Sequence, residues 1–547
     1  MNLVNRINFI FLILFFLGCS QDQAGGTIEQ IQVGGPSGTQ LAEEQILRIG
    51  NGSEPGSLDP HLSEGVESSV IGRDLFEGLI NELPNGELIP GAATSWDISD
   101  DGLIYTFYLR EDARWSNGDI ITSQDWVYSL RRSVDPATMS SYTFILYPIL
   151  NTRQIAAGEL PPESLGVRAV DEYTIEIILE GPTPYFLGLL THSQSYPVHQ
   201  PSVEAFGGEH TRPGNLVSNG AYMLDEWVVQ SHVKAVRNPF YWDNASTVIN
   251  EVWYYPTEDK SGELARYRAN ELDITQSVPA AQIDWIRENL PDDFLSVPYL
   301  GVYYFGFNLL REPFIDNFEL RKALTLAINR NIITDQVLNG GQIPAYGWVP
   351  PVIGYEQQSM VEATWTQEQR EAEARRLYEA SGYSLDNPLE VEIMYNTSQD
   401  HRRVAVAIAA MWRQVLGVET TLLNQEWKVF LDTRRAKEVT EVFRGGWIGD
   451  YNDANTFAEL LQCGGGLNDQ GYCNERYDEL IQLAAIEDDL EARAQLLQEA
   501  ELIMIEDLPL MPIYFYVSNY LVKPWVGGYE TNIMKHDRSK NFYILSH

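Results

Sequence analysis

The sequence predicts an α/β protein, and three observations in its C-terminal half carry that reading. Residues 389–396 (LEVEIMYN) alternate apolar and polar in the period of a strand. Residues 401–416 place Val404, Ile408, Met411, Trp412 and Val415 on one face of a helix, opened by Asp400 as cap and ended by Gly417. Residues 418–423 then return as a strand, and strand, helix and strand at this spacing predict a parallel βαβ crossover. Just upstream, Thr366 and Gln369 have the spacing of a capping box for a helix ending at Gly382. Just downstream, a short apolar strand over 439–443 leads into Arg444-Gly445-Gly446-Trp447-Ile448-Gly449-Asp450. Sheets of this kind bind ligands beyond the carboxyl ends of their strands. His401 and the segment 444–450 are both expected just past such an end, which makes them the first candidates for a site.

The N-terminus points outward from the cell. Arg6 precedes an apolar run from Phe9 to Leu17 and then Gly18-Cys19. The run is far shorter than the ~20 residues that span a bilayer, so 1–18 reads as a signal peptide. A small residue followed at once by Cys resembles a lipobox, which would lipidate Cys19, although Phe16 stands where that box has Leu, Val or Ile. Ordinary cleavage nearby or an uncleaved anchor are the alternatives. No second apolar stretch is long enough to cross a membrane. Residues 19–44, rich in Gly, Gln, Ser and Thr, read as a flexible tether. Cys463 and Cys473 bracket a Gly-rich loop (CGGGLNDQGYC), and an even pair in an exported protein suggests a disulfide. A two-Cys metal site competes with that reading, but no His lies nearby in sequence.

Past the signal peptide, about 530 residues remain, enough for two to four domains. Lys+Arg 37 against Asp+Glu 77 gives a net charge of −40, a field that repels nucleic acid and anionic lipid. The acids are spread along the chain, as on a solvated acidic surface suited to a salty exterior. No GxSxG elbow, HExxH helix, Walker loop or GxGxxG fingerprint occurs, and the eight His are scattered, so no metal site, cofactor or catalytic centre is expected. The enzyme alternative is a glycoside hydrolase, since paired acids are available and 13 Trp and 29 Tyr suit sugar stacking as well as pocket lining.

Several segments in fixed order resemble the family 5 extracellular solute-binding proteins, the receptors of ABC importers for peptides and some other solutes. They are 51–66 (NGSEPGSLDPHLSEGV) with RDLFEGLI from Arg73, and 94–119 (TSWDISDDGLIYTFYLREDARWSNGD). SNGAYML (218–224), RNPFYW (237–242), RKALTLAINR (321–330), PAYGWVPP (344–351) and QEWKVFLDTR (425–434) follow. The match runs from about residue 41 past VKPWVGGY (522–529), and the peptide-binding members are resembled most. The resemblance implies a two-lobe periplasmic-binding-protein fold with hinge crossings and an extra inserted domain. Lobe I would be 45–76, 200–300 and 518–547, the inserted domain 77–199, and lobe II 301–517.

It also implies a function: a monomeric receptor, not an enzyme, that encloses peptides of about two to five residues and passes them to a membrane permease. A different cargo on the same fold is the competing reading. Ligand backbone contacts carry over to Glu64-Gly65-Val66 and to Gly446-Trp447-Ile448. Asp450 matches the residue that meets the ligand ammonium; without the resemblance it reads as part of the Asp-Tyr-Asn-Asp turn. Arg444 and His401 match residues that meet ligand carboxylates, with an ordinary salt bridge and a solvated helix start as their plainer readings. His401 has an independent reason, because the amides of a helix start favour an anion. Side-chain pockets would be lined by Tyr142, Trp427, Arg434 and Trp447. A Lys that serves longer ligands in the family is Leu338 here, which implies a weaker grip on the longest peptides.

Overall fold

A computed structural model describes residues 32–33, 40–352, 354–437, 441–487 and 489–547. The apolar run, Cys19 and most of the 19–44 segment lie outside them. The chain enters its globular body by residue 41, where Leu41 bridges Leu545 and the Ala42 amide donates to Ile544 O.

The βαβ unit forms where alternation and helical period placed it. Glu390–Asn396 and Glu419–Gln425 pair in parallel from Glu390↔Glu419 to Asn396↔Gln425, and Gln399–Leu416 crosses between them. That helix buries Val404, Ala405, Ile408, Trp412 and Val415, and ends at Gly417 in a left-handed turn (φ 78°). The Thr366–Gln369 capping box opens Gln367–Ala380. Two expectations need correction. Ser398, not Asp400, is the N-cap; Asp400 sits in the first turn, where its carboxylate pairs with Lys260 instead. The third strand runs Val442–Ile448, so residues 444–448 lie inside the sheet rather than beyond it. The pattern broke at Gly445-Gly446 because glycines carry no polarity alternation. Both are required by close approach: a Cβ on Gly445 would stand 2.1 Å from the Tyr304 ring, and one on Gly446 2.6 Å from the Tyr516 hydroxyl.

These strands belong to a six-stranded sheet in the order Ile343–Pro344, Leu510–Leu521, Phe294–Phe307, Val442–Ile448, Glu390–Asn396, Glu419–Gln425. A four-stranded sheet orders Ile46–Gly52, Glu251–Pro256, His232–Arg237 and Tyr222–Val228. A third, wholly antiparallel, orders Ala93–Ile98, Ile104–Leu109, Thr174–Ile178 and Val167–Asp171. Each sheet has its own buried cluster, which makes two lobes and an inserted body.

Two long antiparallel strands join the lobes. Leu295 and Val297 pack in the core that holds the four-stranded sheet, while Val302, Phe305 and Phe307 pack in that of the six-stranded one. Their partner strand does the same, with Tyr520 in the first core and Ile513 and Phe515 in the second. The pairing register shifts between Pro298 and Val302. The lobes are joined at this short stretch of paired backbone, beside which the Leu300 amide donates to Ile533 O, and their facing surfaces form a cleft.

A free strand edge and two unlike charged ends

Strand Val442–Ile448 forms the floor of the candidate site. One edge is paired along its whole length, from Gly301↔Ile448 to Phe307↔Val442. The other meets the neighbouring strand only at Val442 and Phe443. Among the described residues, the backbone of Arg444–Ile448 has no strand partner on that side, which is the requirement for adding an extended chain. Gly446 keeps side-chain bulk off the face beside that edge, where the Tyr516 hydroxyl and the Arg444 guanidinium lie. Gly65, Val66 and Glu64 come from the other lobe: Gly65 (φ 83°) is the N-cap of helix Val66–Leu75, and the Glu64 carboxylate accepts from Ser141 Oγ and stands 3.7 Å from Arg435.

At one end Arg444 is 9% exposed and its guanidinium pairs with no carboxylate among the described residues. It donates to the Tyr516 hydroxyl at 2.8 Å and to Asn396 Oδ1 at 3.5 Å, and lies over the Tyr303 ring at 4.8 Å. Tyr303 stacks on Tyr514 and its hydroxyl stands 3.4 Å from His401 Nδ1. Burial, then the positive charges of Arg444 and Lys260, push the His401 pKa well below its ordinary value, so the ring is neutral. Arg444 is thus a fixed cation on a bed of tyrosines, with a neutral imidazole beside it.

The other end has the opposite character. Asp450 follows the strand on the turn toward Thr456, whose hydroxyl accepts from its amide at 3.1 Å. Its side chain is 13% exposed, and Oδ2 is buried without a hydrogen-bond partner. The nearest basic group is His192, 3.8 Å away, too far for a hydrogen bond. Burial, with His536 and Arg73 adding, drives the His192 pKa down to about 3, so it offers no charge. Burial pushes the Asp450 carboxyl up to about 7. Tyr142 stacks on His192 at 5.3 Å, and its hydroxyl is held protonated by burial and by the nearby Asp450 and Glu64. Glu459, beyond, accepts from the Tyr451 hydroxyl and Asn455 Nδ2, and burial followed by the charge of Asp450 raises it to about 8. An acid buried without a counter-charge is the arrangement expected where a cation arrives from outside.

Between the ends lies a small cavity whose wall includes Trp447, Gly446, Arg434, Trp348, Tyr304 and Gln470. Arg434 is neutralised by Asp469 at 2.5 Å. Asp469 and Gln470 belong to the loop closed by the Cys463–Cys473 disulfide. Trp427 is apart from this cavity, 48% exposed and stacked on Phe430. Leu338 packs into the core of the second lobe. Sequence reasoning passed over Tyr303, Tyr514 and Tyr516, although the i, i+2 spacing of the last two on a strand marks a shared face. It also passed over His192, Lys260 and Asp469, which stand beside the site only because distant segments meet.

Both lobes touch across the cleft. Tyr185 of the inserted body stacks on Tyr451 at 5.5 Å and lies under Arg493 at 4.5 Å, and Lys260 reaches Asp400 at 2.9 Å. The chain matches the family model for bacterial extracellular solute-binding proteins, family 5, over residues 87–469. It is 41% identical to the periplasmic oligopeptide-binding protein OppA of Escherichia coli, over 94% of this chain and 95% of that one. The Haemophilus influenzae OppA complex with RPPGFSPFR superposes with a TM-score of 0.87 at 39% identity, covering 93% of this chain and all of that one. Two structures of the Escherichia coli murein tripeptide-binding protein MppA, each 39% identical, bracket the lobe arrangement. One gives 0.88 over 93% of this chain and 100% of MppA; the unliganded open form gives only 0.72, over 94% and 99%. The lobes described above are therefore in a closed arrangement, and the chain belongs to the bacterial extracellular solute-binding proteins of family 5.

Proposed function

We propose that this protein is an exported receptor that encloses short peptides between its lobes as an added strand and delivers them to an ABC import permease. The observation that carries the reading is the placement of unlike charges along one free edge. An unpaired buried carboxyl, Asp450, and Arg444, a cation with no acid partner among the described residues, stand at the two ends of strand segment 444–448, which is about 13 Å long. That separation suits the two charged ends of an extended peptide of a few residues. Between them, backbone hydrogen bonds to 446–448 would hold any sequence, and the small cavity beside Trp447 would hold water next to a ligand side chain. The relatives' names support this, since one is an oligopeptide-binding protein and another has been solved with a nine-residue peptide.

The domain limits fit the same reading: lobe I as 45–76, 200–300 and 518–547, lobe II as 301–517, and 77–199 inserted, with bending at the paired crossing near Pro298. Export follows from 1–18, and lipidation of Cys19 would tether the receptor outside the cytoplasmic membrane. The receptor releases its peptide unchanged, as a binding protein and not a hydrolase.

Calorimetric titration with tri-, tetra- and pentapeptides tests the proposal. Binding is expected, with affinity falling between tetra- and pentapeptide because Leu338 is buried and supplies no charge, and with each peptide recovered at its intact mass. Equal binding of N-acetylated and free peptides would overturn the role of Asp450, and no binding of any peptide would overturn the receptor reading.

A further inference from the structure

At the Arg444 end of the cleft a cation of the first lobe, Lys260, reaches the opposite lobe. Lys260 opens helix Lys260–Arg268, directly after its cap Asp259. Its ammonium lies 2.9 Å from Asp400 Oδ2, and Asp400 precedes His401 in the first turn of Gln399–Leu416 on the opposite lobe. The Lys260 side chain is 40% exposed, so it remains free to move. Arg403 approaches the other oxygen of Asp400 at 3.8 Å, so the carboxylate keeps a cation if Lys260 turns away. An ion pair this accessible is worth at most about 1 kcal/mol, which makes exchange of its partner cheap. Lys260 is close enough for its charge to act on His401, together with that of Arg444. Three groups thus face the same end, a fixed guanidinium, a neutral imidazole and a mobile ammonium from across the cleft.

We propose that Lys260 is a ligand-length determinant: it swings from Asp400 to meet the carboxylate of peptides that extend past Arg444. The flexible four-carbon stem and three donors of a lysine suit an anion whose position varies, whereas the planar fork of Arg444 suits one fixed position. With Leu338 packed in the second-lobe core, the charge that follows a lengthening ligand comes from the first lobe, and the fall in affinity beyond the tetrapeptide marks the limit of its reach. The pair with Asp400 parks the ammonium when the ligand is short.

The inference rests on the peptide-receptor reading, and its test separates the two. Affinities of wild type, Lys260→Gln and Asp400→Asn are measured by calorimetry for trialanine, tetraalanine and pentaalanine, each as free acid and as C-terminal amide. For Lys260→Gln we expect less than about a twofold loss on trialanine, rising to about tenfold on the longest peptide that wild type binds. The amides should bind wild type and Lys260→Gln alike. Asp400→Asn removes the cross-lobe pair but keeps the ammonium, so it should retain the wild-type length profile. Equal losses at every length, losses that persist on the amides, or the same losses in Asp400→Asn would show a closure contact only and overturn the proposal. Wild type binding none of these peptides would overturn the receptor reading instead.

Discussion

The two ends of the cleft handle charge in opposite ways. Arg444 is buried but supported: a hydroxyl, an amide oxygen and an aromatic face share its charge, so it stays ionised with or without a ligand. Asp450 is buried and unsupported, with a neutral histidine as its nearest basic neighbour and one oxygen left without a partner. The difference matches what each end would meet in the proposed peptide receptor. An ammonium fixed at the start of every peptide can be met by one rigid carboxylate that is incomplete without it. A carboxylate whose position changes with ligand length is better met by a cation that is already content, with neutral and mobile groups around it.

The largest expected effect is at the incomplete end. Removing one partner of an enclosed ion pair costs about 3–5 kcal/mol, so Asp450→Ala should weaken binding of free-amine peptides a hundredfold or more in titration calorimetry. An N-acetylated peptide should bind both proteins with the same low affinity, and a difference between them would dissolve the comparison. Arg444→Met should lose less, about tenfold, because His401 and the tyrosine hydroxyls still hydrogen-bond the carboxylate. A loss at Arg444 as large as that at Asp450 would show two equivalent anchors.

pH dependence should separate the ends as well. The Asp450 carboxyl, raised to about 7 by burial, is mostly neutral below that pH, whereas the bound ammonium requires it charged. Affinity should therefore fall about tenfold per unit as pH drops below 7, with proton release in calorimetry, and the slope should vanish in Asp450→Asn. The stability sign is the reverse. A raised acid pKa stabilises the unliganded fold fully below its ordinary value near 3.8, and this contribution is lost as pH rises through about 7. Asp450→Asn should thus melt higher than wild type at pH 8 without ligand while binding far more weakly. The smallest effect on affinity is expected midway between the ends. Replacing Cys463 and Cys473 by Ser loosens the loop that carries Asp469 and Gln470, which should cost roughly 2–3 kcal/mol in denaturant unfolding. Peptide affinity should change less than about threefold, because that loop walls only the small cavity beside Trp447 and touches neither charged end.

What the sequence determined by itself was local and periodic. Alternation over 389–396, the apolar stripe of the crossover helix, Gly417 and the Thr366–Gln369 box are settled within a few residues of chain, where the pleat and the 3.6-residue turn impose their spacing. The family motifs carried the two-lobe architecture and directed attention to 444–450. Only the tertiary structure decided how those residues stand. Gly445-Gly446 became strand because Gly301–Phe307 pairs beside it and the Tyr304 ring lies on it, contacts from more than a hundred residues away. Asp400 falls in the first turn because the helix starts at Gln399 after Ser398, and its carboxylate meets Lys260 of the other lobe instead. Asp450 acquired its unpaired state because the inserted body brings His192 and Tyr142 over it and excludes water. Charge state depends on everything within a few ångströms, and in a cleft between lobes most of that arrives from distant parts of the chain.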